Sequence, residues 1–240
     1  MRPRTLIAII ACLAVTAAQA TSEYKYGKHE YVIIHDGLAP NGQLSIAAHG
    51  AGEDGNEDFH VWLMTEPSHK RLGVLENVSD KDEGVDRPYL DSGPDAYVAV
   101  WSRDSRHVAV WFRTNRHMMR LNLYAVDGRR AQLIRGPSLF HEVMGLDVKD
   151  DDRDLHDYRR RIFELSWRST SRFAFSERRL FQTSDPAFAG RLGRYGKQLT
   201  SKKVHDFLVE FSAEADCRLM PGLHYRIVDL KVGKFEEGEP

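Results

Sequence analysis

The chain is short of almost everything that marks a chemically specialised protein. It has two cysteines in 240 residues, Cys12 and Cys217. Cys12 falls in a hydrophobic leader, so Cys217 is left alone and no intramolecular disulfide can staple the domain. A thiol becomes a nucleophile beside a group that stabilises its anion. No histidine is placed for that, so Cys217 is expected to be a buried structural residue. The formal net charge is −1, with bases scattered among acids. That removes the electrostatic case for nucleic acid or an anionic membrane as partner. Past the leader no apolar run is long enough to cross a bilayer as a helix, so no stable membrane insertion is expected after leader cleavage.

Catalytic motifs are missing as well. There is no Gly-x-Ser-x-Gly elbow, no phosphate-cradling glycine loop and no dinucleotide fingerprint. His49-Gly50-Ala51-Gly52 matches an oxyanion loop only superficially, because no nucleophile motif accompanies it. The 11 histidines include no His-x-His or His-Glu-x-x-His, and zinc spacing is absent. His29-Glu30, His141-Glu142 and His156-Asp157 are adjacent pairs, and neighbours on a strand point to opposite faces. Three acidic stretches, residues 53–58, 80–83 and 150–154, lack the spaced carboxylates, glycine and closing glutamate of a helix-loop-helix calcium site. They are expected to be solvated loops. No catalytic residue, no cofactor-binding residue and no cofactor is assigned, and a metal site is left open.

What is present begins with a leader. Arg2 and Arg4, an apolar run over residues 6–15 and Ala18-Gln19-Ala20 have the order of a secretory signal peptide. Residues 1–20 are therefore expected to be removed, and the protein is expected to be periplasmic or secreted. Residues 21–235 are expected to form a single β-repeat domain, with residues 236–240 as a disordered tail.

Residues 97–136 organise the rest. Residues 97–101 alternate small and large apolar side chains, as a strand buried on both faces can. Residues 102–106 are polar and turn-forming, with Ser and Asp able to bond to nearby backbone. Val108, Val110 and Phe112 then alternate with Ala109 and Trp111 on a returning strand. Leu121, Leu123 and Ala125 make a third, Asp127-Gly128 is a hairpin signal, and residues 131–134 make a fourth. Trp101 and Trp111 are expected to pack between sheets.

WSRDSRHVAV resembles the repeat of periplasmic WD-like β-propellers, roughly Trp-Ser-Pro-Asp-Gly-x-x-Ile-Ala-Phe. LYAVDG resembles the stretch that follows in the same blade. Arg103 stands where the repeat has Pro, and Ser105 where it has Gly. The resemblance covers about one blade and implies a blade, not an activity.

Two fainter copies flank this unit. Residues 38–44, with Asn41-Gly42 as a hairpin signal, take the place of residues 101–107. Residues 167–172 can be laid on residues 101–106. Near-equal spacing supports a repeat, although the period exceeds the roughly 40 to 45 residues of a propeller blade, so each unit must carry extra loop or helix. Residues 78–93 read as one such loop. Residues 149–161 read as another, with i,i+4 ion pairs that allow a short helix. Asp185 and Pro186 open a helix expected over residues 185–199, weakened by its glycines. Val228, Leu230 and Val232 are expected to share one face of a last strand.

The expected fold is all-β: three blade-like four-stranded antiparallel units in an open or degenerate, propeller-related arrangement, with a β-sandwich as the alternative. The expected function is an exported protein-binding or scaffolding module of the bacterial envelope, its partner an unknown envelope or secreted protein. A periplasmic hydrolase with a site assembled from separate loops is the alternative.

Overall fold

The computed structural model describes residues 24–53, 57–78, 91–115, 118–134, 136, 138–146, 155–199 and 207–233. The expected leader, the expected tail and the acidic stretches 80–83 and 150–154 lie outside the described residues, as does part of the stretch 53–58.

The fold is mostly β and falls into three runs along the chain. The first run holds β1 (Val32–Leu38), β2 (Leu44–Ala51), β3 (Glu57–Thr65) and β4 (Lys70–Val74). A 3-10 turn, Pro94–Ala96, leads into the second run: β5 (Tyr97–Trp101), β6 (His107–Asn115), β7 (Met118–Val126) and β8 (Ala131–Ile134). Helix α1 (Leu139–Met144) leads into the third run, β9 (Leu155–Trp167) and β10 (Arg172–Thr183). Helix α2 (Pro186–Leu192), β11 (Gly196–Leu199), β12 (Phe207–Met220) and β13 (His224–Val232) complete it. Neighbours within each run pair antiparallel.

The runs are not separate sheets, which is where the structure is coarser than three clean four-stranded units. β1 meets β5 in parallel through His35 and Val98, and β7 meets β9 in parallel through Met118 and Arg161. Strands therefore follow one path, β11-β12-β10-β9-β7-β6-β5-β1-β2-β3-β4, with β13 on β12 and β8 on β7. β9, β10 and β12 have 13, 12 and 14 residues, about twice an ordinary strand, and β9 stays paired with β10 from Leu155 onward while its middle meets β7. On β12 the outer edge is shared: β11 pairs with residues 208–211 and β13 with residues 213–220.

Alternation places the cores. On β3, Phe59, Val61 and Leu63 are buried on one face while His60 and Trp62 are half-buried on the other. One core packs Ile34, Ile46, Val61 and Leu63 of the first run against Tyr97, Val110, Phe112 and Tyr124 of the second. The other packs Leu123 and Ile134 of the second run, with both helices, against Phe173, Phe175, Phe211 and Cys217 of the third. The second run is thus packed on both faces. Each fully buried Phe contributes roughly 1.5–3 kcal/mol.

The first hairpin turns of runs one and two match bond for bond. Ala39 N donates to Leu44 O (2.9 Å) and Ser102 N to His107 O (2.8 Å). Gly42 N donates to Ala39 O and Ser105 N to Ser102 O. Gln43 N donates to Asn41 Oδ1 and Arg106 N to Asp104 Oδ1. The third turn is tighter, Arg168 N reaching Arg172 O. Between runs, the Trp101 indole donates to Gly37 O (3.0 Å), and the Trp167 indole to Val100 O (2.9 Å).

Three sequence expectations need correction. Residues 155–161 are strand, not loop or helix, because pairing with β10 from Leu155 onward outweighs the local ion-pair pattern. The helix from Asp185 is real and capped, Asp185 accepting from Ala187 N, but it stops at Leu192 and residues 196–199 join β12 as β11. Val228 does not share a face with Leu230 and Val232. A bulge between Asp216 and Cys217 in the β12–β13 ladder skips it, and Val228 is 44% exposed.

Helix α1 was not foreseen, although its signals are in the sequence. Ser138 Oγ accepts from His141 N, and Gly145 closes it at φ 67°. Glu177, buried in a row of phenylalanines on β10, accepts from Leu139 N (2.6 Å) and Phe140 N (3.1 Å) through Oε2. Its Oε1 pairs with Arg179 (3.4 Å), whose guanidinium lies 4.8 Å from both the Phe140 and Phe181 ring centroids. This buried pair is explained by the helix it anchors, since an anion offsets the positive end of the helix.

Candidate functional site

The recesses formed by described residues include two of several hundred cubic ångströms. The larger, of about 800 Å³, opens on the rim where the hairpin turns gather; Asn41, Gln43, Asp104, Ser105, Arg106 and Asp127 line it, with Glu66 at one side. Its wall is fixed by polar contacts. Asn41 N donates to Ser105 Oγ (3.1 Å), joining the first turn to the second. Ser105 sits at φ 58°, in the left-handed region, where the matching residue of the first turn is Gly42 at φ 66°. A residue with a Cβ pays about 1–2 kcal/mol there. The Ser hydroxyl supplies what a glycine could not, an acceptor for the neighbouring turn.

The other groups around this recess are similarly held. Asp104 Oδ1 accepts from Ser102 Oγ (2.7 Å) as well as from Arg106 N. Asp127 Oδ1 accepts from Arg129 N and Arg130 N; these backbone bonds hold its carboxyl below the usual range. Glu66 accepts from Ser45 Oγ (2.6 Å) and lies 3.2 Å from His69 Nδ1. The result is a polar concavity whose turns are held by hydrogen bonds, with Arg106 at its edge.

The second turn contains Ser102, Asp104 and His107, residue types of a hydrolytic triad, but their geometry is structural. Ser102 is fully buried, its hydroxyl donates to Asp104, and it accepts from His107 N. The His107 ring instead lies 5.7 Å from the Trp167 ring, with Nδ1 buried and unpartnered among the described residues. Desolvation holds its pKa below the ordinary 6.5.

The second recess, of about 530 Å³, lies on the third run. Register aligns Glu164, Ser176, Glu214 and Lys231 in one cross-strand row and Ser166, Ala174, Asp216 and Asp229 in the next. Arg172, Arg218 and Arg226 follow beyond. Ser176 Oγ donates weakly to Glu164 Oε2 (3.4 Å). Trp111 also lines this recess. It is half-buried, and its indole N–H is buried with no acceptor among the described residues; the expectation of core packing holds for Trp101, which packs against the first core. No histidine lines either recess.

The remaining candidates are resolved plainly. Cys217 is buried, and desolvation pushes its thiol up to about 12, which removes it as a nucleophile at neutral pH. His49-Gly50-Ala51 lies in β2, with the His49 ring stacked 4.5 Å from Tyr31. His29, Glu30, His141 and Glu142 are exposed. Among the described residues no group of three or more His, Cys, Asp or Glu could hold a metal, and no helix is long and apolar enough to cross a membrane. Sequence reasoning recognised the rim turns as turns but missed the contact between them, which joins residues 64 positions apart.

Comparison with known proteins returns no significant match to a family model, to a curated protein or to a solved structure.

Proposed function

We propose that the chain is an exported binding or scaffolding module of the bacterial envelope, built as three blade-like units in an open, propeller-related stack, and that its turn rim recognises a partner protein. The unit reading is supported by the bond-for-bond match of the first two turns and by the paired indole bonds of Trp101 and Trp167. The WSRDSRHVAV resemblance points the same way, and the residue 1–20 leader is the reason for placing the protein in the envelope. The observation that carries the binding role is the Asn41–Ser105 bond, which fixes two turns side by side along the 800 Å³ recess. Side chains on a rigid scaffold bind without the cost of ordering them first.

The test is capture from envelope extract with the purified chain as bait. Arg106→Glu combined with Gln43→Lys exchanges charge at the recess and leaves the turn-capping carboxylates Asp104 and Asp127 in place. A specifically captured protein should be lost from the double variant while circular dichroism and melting stay close to the parent. Unchanged capture by the double variant would remove the rim from the binding role.

A further inference from the structure

Trp111 differs from Trp101 and Trp167. Their indole N–H groups bond to backbone carbonyls, whereas the Trp111 N–H is buried with no acceptor among the described residues. A buried donor without an acceptor works against stability, and such a group calls for an explanation other than packing. The ring is half-buried and lines the recess of about 530 Å³ on the third run. The carboxylates of Glu164, Glu214, Asp216 and Asp229 line the same recess, together with the cations Arg168 and Lys231 and the hydroxyls of Ser166 and Ser176. Arg178 flanks these cross-strand rows on one side, and Arg172, Arg218 and Arg226 flank them on the other. Both signs of charge are therefore interleaved, and an ion of either sign meets its own charge within a row or two.

We infer that this recess binds an uncharged oligosaccharide, lying across the strands with one sugar ring stacked on Trp111. A sugar ring has an apolar face of C–H groups and a rim of hydroxyls that both donate and accept. The indole matches the first, being a large apolar surface. The mixed lining matches the second: carboxylates accept, Arg and Lys donate, and the two serines do both. A ligand without net charge is the one that such interleaved charges neither repel nor select against by sign. The spacing fits as well. β9, β10, β12 and β13 lie about 4.8 Å apart, close to the length of one unit in an extended sugar chain, and together span about 14 Å, room for about three units. The volume falls within the ~300–1,000 Å³ of small-molecule sites. An extended peptide would instead add to a sheet edge, where backbone groups are unpaired, whereas this recess offers side chains on a sheet face. Among the described residues none lines both this recess and the turn rim, so the inference stands apart from the role proposed for the rim.

The test is calorimetric titration of the chain, as purified from the cell, with cellotetraose, maltotetraose and chitotetraose, followed in parallel by tryptophan fluorescence. At least one of the three should bind saturably with a Kd of about 1 mM or tighter. Its affinity should change less than about twofold between about 0.05 M and 0.5 M NaCl, because no net charge is neutralised. Trp111→Ala should weaken binding at least tenfold and remove most of the fluorescence change, and Trp111→Phe, which keeps a ring, should lose less. Glu214→Gln with Asp216→Asn, at two exposed positions, should also weaken binding at least tenfold with the melting curve unchanged, which keeps the test open should the Ala variant fold poorly. No binding by any of the three sugars overturns the inference. Binding indifferent to Trp111→Phe, Trp111→Ala and the carboxamide pair overturns it too. Tighter binding of a mixed Lys–Glu peptide, weakened by salt, would make the recess a peptide site and overturn it as well.

Discussion

Trp101 and Trp167 make the same hydrogen bond one run apart: each indole N–H reaches the backbone carbonyl just before the equivalent position of the preceding run, Gly37 O and Val100 O. The bond joins runs, not strands within a run. Replacing either Trp by Phe keeps an aromatic ring and removes the donor, leaving a half-buried carbonyl without it. The expected cost is about 1 kcal/mol for each, read as a lower urea midpoint at unchanged slope. No loss at either position would mean that the indole bonds do not hold the runs together.

Ser105 offers a test with opposed terms. Ser105→Gly relieves the left-handed backbone by about 1–2 kcal/mol but gives up the acceptor for Asn41 N. Ser105→Ala gives up the acceptor and keeps the strain. Ala should therefore be the less stable variant by about 1 kcal/mol or more, in thermal or urea unfolding. The reverse order would show that the φ of 58° is not a source of strain.

His107 sets a pH dependence. Its folded pKa is lowered below 6.5 by desolvation, so the unfolded chain takes up the proton first. The stabilising contribution of the neutral ring is complete above about pH 6.5 and is lost as the pH falls from there through the folded pKa. Below that value the penalty is constant. Leu44 occupies the matching position in the first run and is buried, so His107→Leu is a conservative replacement within the fold's own pattern. Stability measured between pH 7.5 and pH 5 should fall less steeply in the Leu variant. Identical slopes would assign the acid sensitivity to other groups.

Glu177 should be the most costly single carboxylate to remove. Its truncation to Ala removes a carboxylate partner of the buried Arg179 and uncaps α1, at about 3–5 kcal/mol. Glu177→Gln keeps an acceptor for the helix N–H groups and should cost less. Equal losses would indicate that the charge, not the hydrogen-bonding shape, is what the site needs.

The second run was legible because every signal there agreed: alternation on β5 and β6, Asp127-Gly128 at the turn, and Trp at a strand end. The third run was less so. Residues 155–161 carry Arg and Asp at helical spacing, and only pairing with β10, the next strand along, makes them a strand. Val228 failed for a similar reason, since a bulge is a property of the ladder and not of either strand's own alternation. The rim was half legible. Asn41-Gly42 and Asp104-Ser105 could be read as turns, but Ser105 appeared only as a departure from a glycine pattern. Its purpose became visible when Asn41 was found beside it.

The shared outer edge of β12 dictates an order of assembly. β11 precedes β12 in the chain yet lies outside it in the sheet, so it has nothing to pair with until the following strand arrives. β10, with Phe173, Phe175 and Phe181 on one face, likewise waits for β12. During synthesis, a chain ending before residue 207 would present β10 as a long, phenylalanine-rich open edge, the kind that recruits other chains. The strand that covers the open edge of β10 therefore arrives only with the last few dozen residues. A holding chaperone should be needed most in that interval.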